Sequence, residues 1–426
     1  MIALAGCAIF LVMLAIGFPV SFAMGIIGTA GIMMSPDLGL GLIPERMHSF
    51  TDSFVFTAIP MFILSGALMD RSGITQRLMG LAMAIVGHIR GGLAMVTVVA
   101  EMLFSGISGS AAADVSAMCS MAMPGLAKAK YPASYSLAVI CASSAMGVLI
   151  PPCIQMIILG GLANVSVVKL FVGGIVPAVV LALLLLLLIY IDARRYGFPA
   201  ERKPTLKELG KIVVDSIIPL GMPVIIFGGI FGGIFTPTEA GAVTVLYALL
   251  ADRLVYKALR WNDIVDTFIS SAAINGMIMF IVAAASVLSY LLSYMLIPEM
   301  ITNLCVKWGL GPFGFMMFNA FVFLVAALII EPIPAMVIFV PVLAPVAVKL
   351  GIDMVYFGTI IIAALGIGMF IPPIGMGVIL ACSIGKVPVE ETIRPLAPFI
   401  AMLLVGLVIL VLFPQITTFL PNLLMR

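Results

Sequence analysis

The chain has 426 residues, of which 63% are hydrophobic and only 9% charged, and its mean hydropathy is +1.29. So little charge cannot cover the surface of a soluble domain, which excludes a soluble protein and implies a polytopic membrane protein. A net charge of +2 offers no basic surface for nucleic acid.

The apolar start, Met1 to Ile16, lacks a basic leading segment and a clear cleavage site, so it reads as a first span at 2–17 and not as a removed signal peptide. Spans follow at 19–34 and 53–69, then a short amphipathic piece at 74–89. A glycine-broken apolar run covers 91–127, a proline-broken span 132–164, and a further span 168–191. From 192 to 211 the chain turns polar and carries Arg194, Arg195, Arg202, Lys203, Lys207 and Lys211, which places this linker on the cytoplasmic side. Beyond it come spans at 214–234, 238–252 and 266–295 and a short piece at 298–308. An apolar run at 311–347, a proline-broken span at 353–385 and a span at 392–413 complete the chain.

The linker divides the chain nearly in half, and the halves match. A shift of 221 residues lays Ile150-Pro151-Pro152 on Ile371-Pro372-Pro373, Gly147 on Gly368, Pro124 on Pro345, Lys128 on Lys349 and Pro177 on Pro398. Near the start, Gly17–Gly25 resembles Phe235–Val243 at a shift of 218. Five spans per half is an odd number, so the second half should cross in the opposite sense. The loop charges agree: 252–263 carries Arg253, Lys257 and Arg260, whereas its counterpart at 35–50 has Asp37, Glu45 and only Arg46. The expected fold is an all-α polytopic membrane protein of two inverted repeats, 1–205 and 206–426, with about ten spans, two re-entrant hairpins and two broken helices. Both chain ends then lie on the periplasmic side.

Arg90 and Lys128 flank the first broken run as same-side residues, so 91–127 enters the membrane and returns. Its tip is Ser105-Gly106-Ile107-Ser108-Gly109-Ser110, where glycines permit a tight turn and serines supply hydroxyls. Irregular backbone survives at membrane depth only inside protein or beside a wet cavity, so each tip is paired with a break. Ser105–Ser110 faces Gly147–Pro152, and the Glu331-Pro332-Ile333-Pro334 tip faces Gly366–Pro373. Carbonyl and hydroxyl oxygens suit a hard cation such as sodium, and half-helix N-termini suit a carboxylate or similar anion. The sodium candidates are Ser105, Gly106, Ser108, Gly109, Ser110, Asp114, Gly147, Ile150 and Pro151 at the first pair, and Glu331, Pro332, Gly366, Gly368, Ile371 and Pro372 at the second. The substrate candidates are Ser108, Ser110, Pro152, Pro334 and Pro373. The alternative is that these breakers are ordinary kinks and close-packing points.

Ionisable residues at membrane depth are candidates by position. Asp114 either orients hydroxyls and helps hold sodium or serves as a helix N-terminal charge; Glu331 has no obvious charge partner; Glu101 is expected to pack against a polar partner in the hairpin. Thr236-Pro237-Thr238-Glu239 reads as a capping box with proline at the first helical position. The six cysteines (Cys7, Cys119, Cys141, Cys153, Cys305, Cys382) show no metal spacing, and His48 and His88 stand far apart. There is no Walker A pattern, dinucleotide fingerprint or HExxH, so no enzyme chemistry is expected and no cofactor beyond sodium as a coupling ion.

The stretches LFSGISGSAAAD (Leu103–Asp114), MIILGGLANVSVVKLFVGGIVP (Met156–Pro177), GGIFTPTEAGAV (Gly232–Val243), PPIGMG (Pro372–Gly377) and LFPQITTFLPNLL (Leu412–Leu424) resemble the large membrane subunit of TRAP transporters, the DctM/SiaM type. The resemblance covers essentially the whole chain. It implies a sodium-coupled, elevator-type importer of an organic acid anion (a dicarboxylate, sugar acid or sulfonate) in the bacterial inner membrane. It further implies two partners within the lipid bilayer's reach: a separate small four-helix membrane subunit of the DctQ/SiaQ type and a periplasmic binding protein that delivers substrate. The competing expectation is a stand-alone sodium/anion symporter or exporter of related fold. A non-transport membrane protein would call for cofactor-binding histidines or paired catalytic acids in the spans, and neither pattern stands in the sequence.

Overall fold

In hydrocarbon every backbone N–H and C=O must find its partner inside the protein, and this chain meets that demand with helices. The computed structural model describes residues 9, 10, 12–14 and 16–425, and no strand occurs among them. The span expected at 2–17 lies largely outside the described residues, of which 9, 10 and 12–14 are helical, and Cys7 lies outside them as well. Helices α1 (Val20–Met33), α2 (Leu42–Thr51) and α3 (Ala58–Arg71), the last preceded by a 3-10 turn at Phe54–Thr57, lead to the short α4 (Ile74–Val86). Then come α5 (Gly92–Ser108), α6 (Ala111–Lys128), α7 (Ala133–Gly147), α8 (Ile154–Ala163) and α9 (Val167–Tyr196). The second half holds α10 (Leu206–Phe231), α11 (Pro237–Ala251), α12 (Trp261–Tyr294) and the short α13 (Ile297–Lys307). It ends with α14 (Pro312–Ile329), α15 (Pro332–Lys349), α16 (Met354–Gly368), α17 (Met376–Gly385), α18 (Val389–Leu412) and α19 (Gln415–Leu424).

Seven helices among the described residues are long and apolar enough to cross a membrane, and α7, α8, α16 and α17 are shorter apolar pieces. The ten residues of α8 or α17 span about 15 Å, roughly half of a hydrocarbon core. The glycine-broken and proline-broken runs are therefore real interruptions: α5 turns into α6 at Gly109-Ser110, and α7 gives way to α8 across a cis Pro151-Pro152 bond. The second half repeats these boundaries. α6 and α15 start and stop 221 residues apart, as do α7 and α16, and a cis Pro372-Pro373 bond follows α16.

Four elements differ from the sequence expectation. The loop expected at 35–50 contains α2, whose polar Glu45, Arg46 and His48 hide a helix with its acid in the first turn, where the dipole favours it. Arg46 also stacks over the Tyr290 ring of α12, 4.2 Å from its centroid. The polar linker shrinks to 197–205, because Arg194 and Arg195 sit well at the C-terminus of α9 and a Thr205/Glu208 capping box starts α10 early. Gly197, at φ +72°, closes α9. The 252–263 loop opens with a π-helical turn at Asp252–Tyr256, held by Asp252, which accepts from the Ala258 and Leu259 N–H groups. Helix α19 was not anticipated; it packs on α9. The Thr236/Glu239 box forms as read, with Pro237 at the first helical position of α11.

The helices sort into two packed groups. In the outer group α3 lies on α11, α12 on α1, α2 and α3, and α10 on α11. Close approach here depends on glycine: a Cβ on Gly28 would lie 3.0 Å from the Leu288 backbone nitrogen. The inner group contains both hairpins, both broken helices, α9, α18 and α19. Its centre is α7 and α16, whose residues Tyr135–Gly147 and Val355–Gly368 are all buried, as expected of helices apolar on every side. The inner packing is crosswise: α6 of the first hairpin lies on α17, α15 of the second on α8, and α7 meets α16. That last crossing needs Gly366, where a Cβ would approach the Ala145 carbonyl to 2.5 Å. The short α4 touches both α5 and α10, and α13 touches both α15 and α12, so each bridges the groups.

Candidate cation and anion site

The first tip exists because α5 cannot continue. Gly109 takes a left-handed φ of +63°, and Ser110 is extended before α6 begins. The α7–α8 break lies against this tip and the two satisfy each other. Ser105 Oγ donates to the Gly147 carbonyl at 2.7 Å, and the Ile154 N–H at the start of α8 donates to the Gly109 carbonyl at 3.3 Å. A Cβ on Gly109 would lie 2.8 Å from the Pro152 carbonyl oxygen, and one on Gly106 would lie 3.4 Å from that of Pro151. Only bare backbone at Gly109 lets the Pro152 carbonyl approach the tip this closely.

The oxygens divide into spent and available ones. The Gly147 carbonyl already accepts from Ser105 Oγ and, at 2.8 Å, from the Ile150 N–H, which uses both of its lone-pair directions. The Pro151 and Pro152 carbonyls carry no hydrogen bond among the described residues, yet both residues are buried. Ser108 Oγ donates to Asp114 Oδ1 and accepts the Ser110 N–H at 3.3 Å. Asp114 thus does orient a hydroxyl, from the first turn of α6, where the dipole favours its charge. Pro151 and Pro152 O, together with Ser108 Oγ, are the hard oxygens this pair of elements can offer a cation. Ser110 is half-buried, and the adjoining Ala112 and Ala113 are exposed, so an anion can reach the α6 N-terminus from that side.

The second pair differs. Only Ile330 and Glu331 are non-helical at the turn; Pro332, Ile333 and Pro334 form the first turn of α15, where an imide nitrogen loses nothing because those N–H groups have no intrahelical acceptor. The expected four-residue tip is therefore two residues. Gly366 and Gly368 belong to the end of α16, and the break itself runs from Met369 to Gly375. Gly368 serves packing against α14: a Cβ there would lie 2.4 Å from the Leu324 carbonyl. Glu331, Pro373 and Ile374 are exposed, Ile371 and Pro372 half-buried, and Pro332 and Pro334 buried. No hydrogen bond ties the Glu331 turn to the 371–373 backbone among the described residues. The first tip and break are thus joined by hydrogen bonds, and among the described residues the second are not.

Three groups at the first site escaped the site reading of the sequence. Gln155 follows the break and accepts from Cys153 Sγ at 2.7 Å. Gly66 of α3 abuts the tip from the outer group, its missing Cβ 2.9 Å from the Ile107 carbonyl. Ser144 is fully buried beside Glu101. The polar partner expected for Glu101 in the hairpin is Asp114, and its carboxyl also faces Ser144 of α7. A lone acid in an apolar run was the available signal for this cluster. The five described cysteines are free and buried, and no group of three or more His, Cys, Asp or Glu able to hold a metal ion occurs among the described residues.

The profile of the family described as "Tripartite ATP-independent periplasmic transporter, DctM component" matches residues 7–416. The C4-dicarboxylate TRAP transporter large permease protein DctM of Pseudomonas aeruginosa is 36% identical over 401 residues, 94% of each chain. The ectoine/5-hydroxyectoine large permease protein UehC of Ruegeria pomeroyi is 38% identical over 86% of each chain. The sialic acid large permease protein SiaM of Vibrio cholerae is 31% identical over 96% of this chain and 95% of its own. Among solved structures, the YdaH transporter of Alcanivorax borkumensis superposes with a TM-score of 0.64 at 14% identity over 90% of each chain. MtrF of Neisseria gonorrhoeae gives 0.62 at 13% identity over 96% of this chain and 94% of its own, a likeness of fold alone.

The two tip glycines separate conformation from space. Gly109→Ala must hold a left-handed φ and overlap the Pro152 carbonyl, and should destabilise the purified protein by about 2 kcal/mol or more. Gly106→Ala, helical and with ordinary van der Waals room, should leave the thermal midpoint unchanged or raised. Equal midpoints for the two variants would mean that the tip does not close on the break.

Proposed function

The chain belongs to the DctM family of tripartite ATP-independent periplasmic transporters, and from that premise we propose that it is the permease subunit that imports a small carboxylate-bearing solute by coupling to sodium. As a transporter permease subunit it is not an enzyme. The observation that carries the coupling is the interlocked first tip and break, where the Pro151 and Pro152 carbonyls face the bare backbone of Gly106 and Gly109. A cation that ligates these oxygens and Ser108 Oγ draws the tip onto the break. The N-terminus of α6 then stands beside a fixed positive charge, which favours an anionic substrate group at Ser108 and Ser110. Binding of one ion thereby prepares the site for the other, which is what coupling requires.

The second tip and break, with Glu331 and Pro373 exposed and Ile371 and Pro372 half-buried, form the complementary site that the same logic closes. The two halves, 1–205 and 206–426, act as inverted repeats: their matched boundaries and crosswise packing are what a two-fold axis in the membrane plane would produce. The inner group moves as a body past the outer group, with α4 and α13 as the connecting arms. Gly66 supports this motion, since α3 presents no side chain to catch the tip. The protein sits in the bacterial inner membrane with the 197–205 linker cytoplasmic and both ends periplasmic. A small four-helix membrane subunit completes the outer group, and a periplasmic binding protein hands over the solute. The curated names of relatives span C4-dicarboxylates, sialic acid and ectoine, so the substrate class is an organic acid whose identity the binding protein selects.

Proteoliposomes holding this chain and its small subunit, given an inward sodium gradient, should take up an organic acid only when the binding protein is added. Ser108→Ala should cut that uptake about tenfold or more while folded yield is kept, because a buried ligand to an ion is lost. Uptake without the binding protein would make the chain a stand-alone symporter, and a parallel loss of yield would make Ser108 structural.

The motion has its own test. Phe56 of the outer group packs on Gly161 of α8 in the inner group, where a Cβ would lie 2.5 Å from the ring. A short thiol crosslinker between cysteines introduced at 56 and 161 should stop transport. Full turnover in fully crosslinked protein would rule the motion out.

A further inference from the structure

Three stretches join the inner group to the outer one: α3 to α5 through α4, α12 to α14 through α13, and α9 to α10 through residues 197–205. The last has the composition of a slack polar loop, yet two long-range main-chain hydrogen bonds hold it. The Gly91 N–H donates to the Pro199 carbonyl at 3.2 Å, and the Glu201 N–H donates to the Gly87 carbonyl at 3.0 Å. They pair the linker, antiparallel, with the joint between α4 and α5. Gly91 is held in turn against α9: its φ is +76°, and a Cβ there would lie 2.6 Å from that of Ala193.

Backbone paired at a surface stays paired only where something else orders the strand, because water competes for the same groups. Phe198 supplies that order. The Gly197 and Phe198 N–H groups both donate to the Ala193 carbonyl, which turns the chain back over the end of α9. Phe198 is the one residue from Arg194 to Lys203 that is not exposed. Its ring centroid lies 4.2 Å from that of Tyr131, 5.1 Å from that of Tyr135 and 5.8 Å from that of Tyr196. Tyr131 and Tyr135 are buried at the entry to α7, and Tyr135 meets Phe399 of α18 edge-on.

Beyond Glu201 the attachments change sides. Arg202 pairs with Glu208 in the first turn of α10, and Thr205 caps that helix. The four peptide steps from Glu201 to Thr205 reach at most about 14 Å. The Arg202–Glu208 pair is exposed, so it resists separation weakly. The second half has no equivalent. A shift of 221 residues sets Trp308 and Pro312 at the positions of Gly87 and Gly91, and Pro312 has no N–H to donate. No backbone hydrogen bond joins 308–312 to 413–425 among the described residues. Phe419, at the place of Phe198, is exposed on α19.

We propose that residues 197–201 are a strap belonging to the moving inner group, that Phe198 is the positioning residue that seats it, and that the hinge to the outer group is Arg202–Thr205. It rests on the reading that the inner group moves past the outer one, and adds where the connection between the halves bends. Because the strap also holds the α4–α5 joint, the end of α4 and the linker travel together, and two of the three connections swing as one.

Hydrogen–deuterium exchange and uptake test this together. In the purified chain, Phe198→Ala should speed amide exchange about tenfold at Gly91 and Glu201 alike. In proteoliposomes with the small subunit and the binding protein, it should lower the sodium-driven uptake rate about fivefold. The sodium concentration giving half the maximal rate should stay within about twofold, and Phe198→Tyr should restore the rate. A short thiol crosslinker joining His88→Cys to Ala200→Cys should leave uptake intact, since both positions ride on the same body; it also serves if Phe198→Ala does not fold. Lost uptake in the fully crosslinked protein, an unimpaired Phe198→Ala rate, or faster exchange at Glu201 alone would overturn the strap and leave the transport reading standing. No uptake by the unsubstituted protein would overturn that reading, and exchange at Gly91 and Glu201 would still decide whether Phe198 seats the strap.

Discussion

Wherever a helix stops inside hydrocarbon, its last carbonyls and the next N–H groups must find partners, because water is not there to supply them. This chain stops four times, at two hairpin turns and two proline breaks, and at the first pair the interruptions complete each other. Ser105 reaches the Gly147 carbonyl, and the first N–H of α8 reaches the Gly109 carbonyl. What remains uncompensated there is a small set of oxygens, and that remainder is what gives the protein something to bind with. The bare backbone of Gly109 is a condition of this arrangement, since a side chain there would displace the Pro152 carbonyl.

The rest of the architecture holds those interruptions at depth. α7 and α16 are buried on all sides and cross where Gly366 allows contact, so the two breaks are anchored to each other and not to the periphery. Each hairpin is in turn locked to the other half, α6 against α17 and α15 against α8. A disturbance at one tip is thus felt at the other break, which gives a physical route for one ion to influence a second ligand. The outer helices carry the lipid-facing load: Phe22, Val214, Val224, Ile269 and Met277 are exposed apolar residues on α1, α10 and α12. The two halves use the shared plan unequally, one with a closed tip and buried acids, the other with an open turn and apolar packing.

Much of this was legible in the sequence because breakers are cheap to read against an apolar background. Gly109, Pro151-Pro152 and Pro372-Pro373 stand out in an otherwise apolar run, and their spacing marked the helix boundaries that recur 221 residues apart and the first tip with its break. Three things were not legible. Helix α2 and the ends of α9 and α10 looked like loops because composition there reports solvent contact, whereas capping and the helix dipole decide where a helix starts and stops. The second turn was read as four residues because proline signals a break, yet prolines in a first helical turn have no hydrogen bond to lose. The Glu101–Ser144 cluster joins residues more than forty positions apart across the α5–α7 packing, and periodicity carries no information on such pairs.

The claim on which the account turns is that a cation closes the first tip onto the first break. Hydrogen–deuterium exchange of the purified protein, with and without sodium and at matched ionic strength, reads that closure at the backbone. Sodium should slow exchange together at Gly109–Asp114 and at Ile154–Ile157, the two segments whose N–H groups lie at the junction. Protection of neither segment, or of the outer helices alone, would contradict it.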